Sequence, residues 1–208
     1  IGKEYAFRVL LDYFGLTDFF YPPSVFLRLD IGNIDIIQPH GSDVTVTKSE
    51  NKIQLTRTGI ITTNQFYFVA CKSPLDSSGE GSSWKVTIDV LPNDWLFLGI
   101  DGNLDVSNNS LADPTTYGWA GGSQVYQGEA RRNGNSGWTN FTEGECLHFH
   151  LKAKKITMFS VQKNQKFTMD IATTPGERNA YYINFNMYFK STKLTLEPLN
   201  EKECARFL

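Results

Sequence analysis

The stretch "SSWKVTIDVLPNDWLFLGID", Ser82–Asp101, decides the fold class. Trp84, Val86, Ile88 and Val90 alternate with Lys85, Thr87 and Asp89. In extended chain a period of two places the first set on one face and the second on the other. Pro92-Asn93 interrupts the pattern, because proline lacks an N–H for a ladder and asparagine favours turns. A second apolar run, "DWLFLGID", follows at once. These are two successive strands, not an amphipathic helix.

The same pattern extends outward from this point. Upstream, Val44 and Val46 alternate in "SDVTVTKS", Ile53 and Leu55 share a face in "NKIQLTRTG", and "QFYFVACKS" is a short apolar run. Downstream, Leu147, Phe149 and Leu151 alternate in "ECLHFHLKA", and "KITMFSVQ", "KFTMDIA", "YYINFNMYF" and "KLTLEPL" complete the series. Short strands rich in β-branched and aromatic residues, without a repeat of solenoid or propeller length, predict two antiparallel sheets packed face to face. Only residues 3–14 read as helix, with Ala6, Val9, Leu10, Tyr13 and Phe14 at helical spacing and Gly15 as a stop. The expected organisation is a helical segment over 1–20, a sandwich over 21–200 and a tail over 201–208.

With 20 Lys+Arg against 22 Asp+Glu the chain is near neutral, so a nucleic acid or an anionic membrane is not the expected partner. No apolar run approaches the roughly 18 residues of a membrane span. The first residues carry charges among their apolar positions and no cleavage site, so they do not read as a signal peptide. Ile1 in place of Met implies a fragment. Cys71, Cys146 and Cys204 are odd in number and lack a CxxC spacing, which fits a reducing, intracellular and cytoplasmic setting better than a disulfide framework.

Candidate chemistry centres on "DPTTYGWAGGSQVYQGEA", Asp113–Ala130, where Tyr117, Trp119 and Tyr126 sit among glycines. The run lacks both the GxGxxG and the GK[ST] spacing and precedes no helix, so it is not a phosphate loop. Cys146, His148 and His150, at i, i+2 and i+4, share one strand face and are competent zinc ligands. No fourth ligand is near in sequence, so neither a metal nor any other cofactor is expected. Glu143 and Glu145 are close in sequence, but no nucleophile elbow or cysteine signature accompanies them. The basic clusters are Arg131-Arg132 and the hairpin lysines Lys152, Lys154 and Lys155, which read as a solvated turn.

Taken together, residues 84–199 resemble the SPRY domain, called B30.2 when a PRY segment precedes it. "WKVTIDVLPNDWLFLGID" is similar to the family's tryptophan strand and the strand after it, and "TTYGWAGG" to its "SYGW.G" element. "FTEGECLHFHLKAKKITMFSVQKNQKFTMDI" resembles its three-strand block, and "YYINFNMYFKSTKLTLEPL" its closing strand pair. "SDVTVTKSENKIQLTRTG" matches a PRY-like strand pair. The sequence departs from the family at Glu145, where Asp is favoured, at Lys152-Ala153, and at "KNQK", which lacks a turn glycine. Those departures mark a distant member. The resemblance implies an all-β, bent two-sheet sandwich of concanavalin-like, SPRY type that binds a protein or peptide through loops at one edge, without catalysis.

On that reading the expected partner-binding residues are Asp101, Asn103, Tyr117, Trp119, Tyr126, Arg131, Asn133 and Trp138. Their loops are rich in glycine, asparagine and aromatics, and are expected to converge on one edge. Tyr117 and Trp119 share a face, so both are anchors or both are core. A recognition module of a ubiquitin ligase or scaffold is the expected setting. Two rivals stand beside it: a lectin-like sandwich stacking sugar on Trp119 or Trp138, and a hydrolase using carboxylates or the face of Cys146, His148 and His150.

Overall fold

Alternation along Ser82–Val90 becomes the centre of one sheet. The structure, a computed structural model, describes residues 27–28, 34–37, 44–59, 68–104, 110–128, 130–134, 137–172, 180–204 and 207. Among them fifteen strands run in chain order: β1 (Leu27–Arg28), β2 (Ile36–Ile37), β3 (Val44–Ser49), β4 (Lys52–Arg57), β5 (Phe68–Cys71), β6 (Ser82–Val90), β7 (Phe97–Asp101), β8 (Tyr117–Ala120), β9 (Gln124–Gln127), β10 (Ala130–Asn133), β11 (Cys146–Lys152), β12 (Lys155–Ser160), β13 (Gln165–Asp170), β14 (Tyr182–Asn186) and β15 (Lys193–Pro198). A 3₁₀ turn covers Ser110–Ala112 and a short helix, α1, covers Glu201–Cys204.

The first sheet runs β13-β12-β11-β6-β15-β4-β3, and the second β10-β9-β8-β7-β14-β5-β2. These neighbours are antiparallel; β1 alone pairs in parallel, meeting β6 at Ser82 and Ser83. The inner face of the first sheet carries Trp84, Val86 and Ile88 of β6, Leu147, Phe149 and Leu151 of β11, and Leu194 and Leu196 of β15, all buried. The second sheet answers with Leu98, Ile100, Trp119, Ile183 and Phe185. Trp84 and Phe149 are cross-strand partners and stack at 5.3 Å, and Phe149 meets Trp119 of the opposite sheet at 6.3 Å. One contiguous core thus fills the space between the sheets.

The β11–β12 and β12–β13 hairpins turn through a left-handed residue other than glycine. Asn164 takes φ 50° in the β12–β13 turn, a conformation asparagine tolerates because its short polar side chain bonds locally. Ala153 takes φ 53° between Lys152 and Lys155, where a Cβ is disfavoured.

The expected helix over residues 3–14 lies outside the described residues. At the other end, the segment expected as a tail packs onto the body. Asn200 and Glu203 cap α1 reciprocally: Asn200 Oδ1 accepts the Glu203 N–H at 2.9 Å, and Glu203 Oε2 accepts the Asn200 N–H at 2.8 Å. The other Glu203 oxygen lies 3.5 Å from Lys85 Nζ and 3.8 Å from His148 Nε2, on the outer face of the first sheet. Cys204 is buried there.

Candidate functional site

Strands β7, β8, β9 and β10 form a meander at one side of the second sheet, and all eight expected binding residues lie on it or on its loops. Pairing fixes their directions. Leu98 faces Trp119 and Trp119 faces Val125 across the ladder, all pointing to the interior. Gly99, Gly118 and Tyr126 form the adjacent rung, pointing outward. A Cβ on Gly118 would come within 2.5 Å of the Leu98 carbonyl oxygen and 2.9 Å of the Phe97 ring, so glycine is required there by close approach.

The structure makes Tyr117, Trp119 and Trp138 core residues, each 1% exposed. The Tyr117 hydroxyl accepts the Ala172 N–H at 3.2 Å, and its ring meets Tyr181 edge to face at 6.2 Å. Trp138 donates its indole N–H to the Ala120 carbonyl at 2.8 Å and packs between Phe141 and Phe167. A sandwich of this width needs large side chains, and the inward rungs of β8 supply them. None of the three presents a surface for a partner, and the sugar-stacking reading loses both its platforms.

The expected loops also do not meet at one edge. Antiparallel register places Asp101 and Asn103 at the end where β7 finishes and β8 starts. Gly121 and Trp138 lie at the opposite end, where Gly134 N–H bonds to the Ser123 carbonyl. Arg131 and Asn133 pair with Tyr126 and Gln124 along β10, the sheet's edge strand.

Asp101 anchors a buried polar cluster. Its Oδ1 accepts the Asn103 N–H at 2.9 Å and the Thr115 hydroxyl at 3.0 Å, and its Oδ2 accepts the Thr116 hydroxyl at 3.0 Å. Thr115 also bonds to Asp113 Oδ1 at 2.5 Å. Burial, with the nearby Asp113 charge, pushes the Asp101 carboxyl up to about 6 against the lowering hydrogen bonds. This cluster ties the two ends of the 102–114 loop together. Asn103 is exposed beside it.

At the other end lies a group of which sequence reading named only Tyr126. Gln124 Oε1 accepts two hydrogen bonds, from the Trp95 indole at 3.3 Å and the Tyr126 hydroxyl at 3.0 Å. Trp95 meets Tyr188 edge to face at 6.1 Å, and Tyr126 meets Phe97 at 5.7 Å. Trp95, Gln124 and Tyr188 are half-buried, so this outward cluster joins rigid aromatic edges to an amide. The available signal was Trp95 itself, an aromatic just after Pro92-Asn93 and outside the alternation.

The remaining candidates are held in hydrogen-bonded or stacked contacts. Glu145 is 1% exposed and holds Lys163 at 3.0 Å, Ser160 at 2.6 Å and the Thr142 N–H at 2.8 Å. Glu143 accepts the Leu91 N–H at 2.9 Å. His150 Nδ1 lies 2.7 Å from Ser83 Oγ, and its ring stacks on Phe207 at 5.1 Å. Among the described residues no group of three or more His, Cys, Asp or Glu is placed to hold a metal, and no helix is long and apolar enough to cross a membrane.

No protein-family profile and no curated protein sequence matches the chain. Solved structures do. The chain is similar to the TRIM65 PSpry domain, with TM-score 0.52 and 13% identity over 76% of this chain and 86% of that one. Similarity to the SPRY domain of human HERC1 covers 81% and 99%, with TM-score 0.48 and 12% identity. Lectin II from Ulex europaeus is matched over 84% and 96%, with TM-score 0.41 and 9% identity. Strand order, the buried tryptophans and the TRIM65 likeness converge: the fold is that of the SPRY domain, carried by a distant sequence.

Proposed function

We propose that the protein is a non-catalytic binding domain that holds a partner polypeptide against the outer face of the β7–β10 meander. One observation carries this reading: Gln124 of β9 fixes Tyr126 of the same strand and Trp95, two residues before β7, while Trp95 and Gln124 keep part of their surface in solvent. Rigid aromatics lose little entropy on binding, and an oriented amide offers a directional hydrogen bond. The edge strand β10 adds a backbone ladder beside them, with Arg131 and Asn133 at the register positions of Tyr126 and Gln124. Asn103 belongs to the surface at the far end of the meander. In a larger chain such as a ubiquitin ligase or scaffold, this domain would recognise the substrate, a role that rests on fold-level analogy.

The test is a peptide-display selection on the immobilised domain, with Trp95→Ala carried in parallel. Selected peptides should bind the wild-type domain and lose about thirtyfold, or ~2 kcal/mol, to Trp95→Ala at an unchanged melting temperature. Peptides that bind both equally, or a domain that takes only glycans on an array, would overturn the proposal.

A further inference from the structure

The opposite face of the sandwich carries a second recess. Outward-facing residues of four adjacent strands line up in one rung: Ser83 of β6, His150 of β11, Thr157 of β12 and Thr168 of β13. They are joined by the 2.7 Å contact of Ser83 Oγ with His150 Nδ1 and the 3.5 Å contact of the two threonine hydroxyls. His150 and Thr157 are buried, at 9% and 7% exposure, and form the floor of a groove about 590 Å³ in volume, with Thr168 exposed at its side. Phe207, stacked on His150, contributes to its wall.

The rim is cationic. Lys152, Lys154, Lys155 and Lys166 surround the floor and are exposed. Lys152 is 3.4 Å from Glu80 and Lys155 3.7 Å from Asp170; Lys154 and Lys166 have no carboxylate within ion-pair distance among the described residues. His150 lies in this field: burial first, and then Lys152, lower its pKa, with Glu80 opposing and Lys166 adding a smaller lowering. A recess with hydroxyl and imidazole groups below and unpaired ammonium groups above suits an anionic group on a narrow chain.

We propose that this groove is a docking site for an acidic segment of a partner polypeptide, with carboxylates on Lys154 and Lys166 and hydrogen bonds to Thr157 and Thr168. The carboxylates of Glu80 and Asp170 decide against a continuous polyanion. A nucleic acid backbone or a sulfated glycan presents charge at every step and meets both, whereas side chains of a peptide can be spaced to avoid them. A flat anionic membrane cannot reach the buried Thr157. The site lies on the outer face of the first sheet, so it is independent of the Trp95 surface.

The test uses fluorescence anisotropy with a labelled peptide of alternating glutamate and serine. Lys154→Glu/Lys166→Glu is compared with Lys52→Glu/Lys72→Glu, which changes net charge equally on exposed lysines away from the groove. Binding should weaken as salt is raised and fall about tenfold or more in the first variant, with little change in the second. Thr157→Val/Thr168→Val should weaken it further at constant charge. Equal losses in both charge variants, or binding of a heparin fragment in preference to the peptide, would overturn the assignment.

Discussion

Asp101→Asn should change how stability depends on pH. The Asp101 carboxyl is buried at the end of β7 and its pKa stands at about 6 against an ordinary 3.8. A folded-state value above the unfolded one means the native protein binds the proton more tightly between those limits. The stabilisation is therefore fully present below about pH 4 and is lost as pH rises through about 6. At 1.36 kcal/mol per pH unit, the loss is ~3 kcal/mol. Asparagine keeps an acceptor for the Asn103 N–H and the Thr115 hydroxyl, and the Thr116 hydroxyl can rotate to accept from the new amide. Any constant offset from that exchange is the same at every pH. Urea denaturation of both proteins at several pH values should show the variant gaining ~3 kcal/mol on the wild type between about pH 4 and pH 7, with a plateau above. Parallel stability profiles would refute the argument, since they would mean that Asp101 titrates alike in the folded and unfolded chains.

Trp119→Ala should cost about 3–5 kcal/mol of folding stability, measured by denaturant titration, because the indole bridges the two sheets against Phe149. Glu145→Ala removes the acceptor for Lys163, Ser160 and the Thr142 N–H together, and should lower stability by about 2–3 kcal/mol, with Glu145→Gln recovering part of it. Ala153→Gly should raise the melting temperature slightly, by up to ~1 kcal/mol of stability, since relief of the φ 53° strain outweighs the added freedom of the unfolded chain.

The strands were legible because burial on one face leaves a period-two record in the chain. Trp84–Asp89 shows it directly, buried and half-buried residues alternating as read; in Cys146–Lys152 the inward Leu147, Phe149 and Leu151 are buried as read, but His148 and His150 of the other face are buried as well. The candidate site was less legible. Tyr117, Trp119 and Trp138 carry the same composition as an aromatic contact surface, and only packing tells the two apart. Trp95 and Gln124 are 29 positions apart and gave no joint signal. Asn200 and Glu203 had the spacing of a capping box but followed a strand, where a tail was the simpler reading.

Local pattern by itself thus determined the all-β class, most of the strands and the inward faces of β6, β11 and β15, since side-chain direction in a strand depends only on neighbours in sequence. Register between distant strands depends on which rungs come together, and no local signal carries that. The tertiary structure therefore decided that Asp101 and Gly121 stand at opposite ends of the meander. It also brought His150, Thr157 and Thr168 into one rung beside a rim of lysines, of which Lys152, Lys154 and Lys155 alone read as a solvated turn.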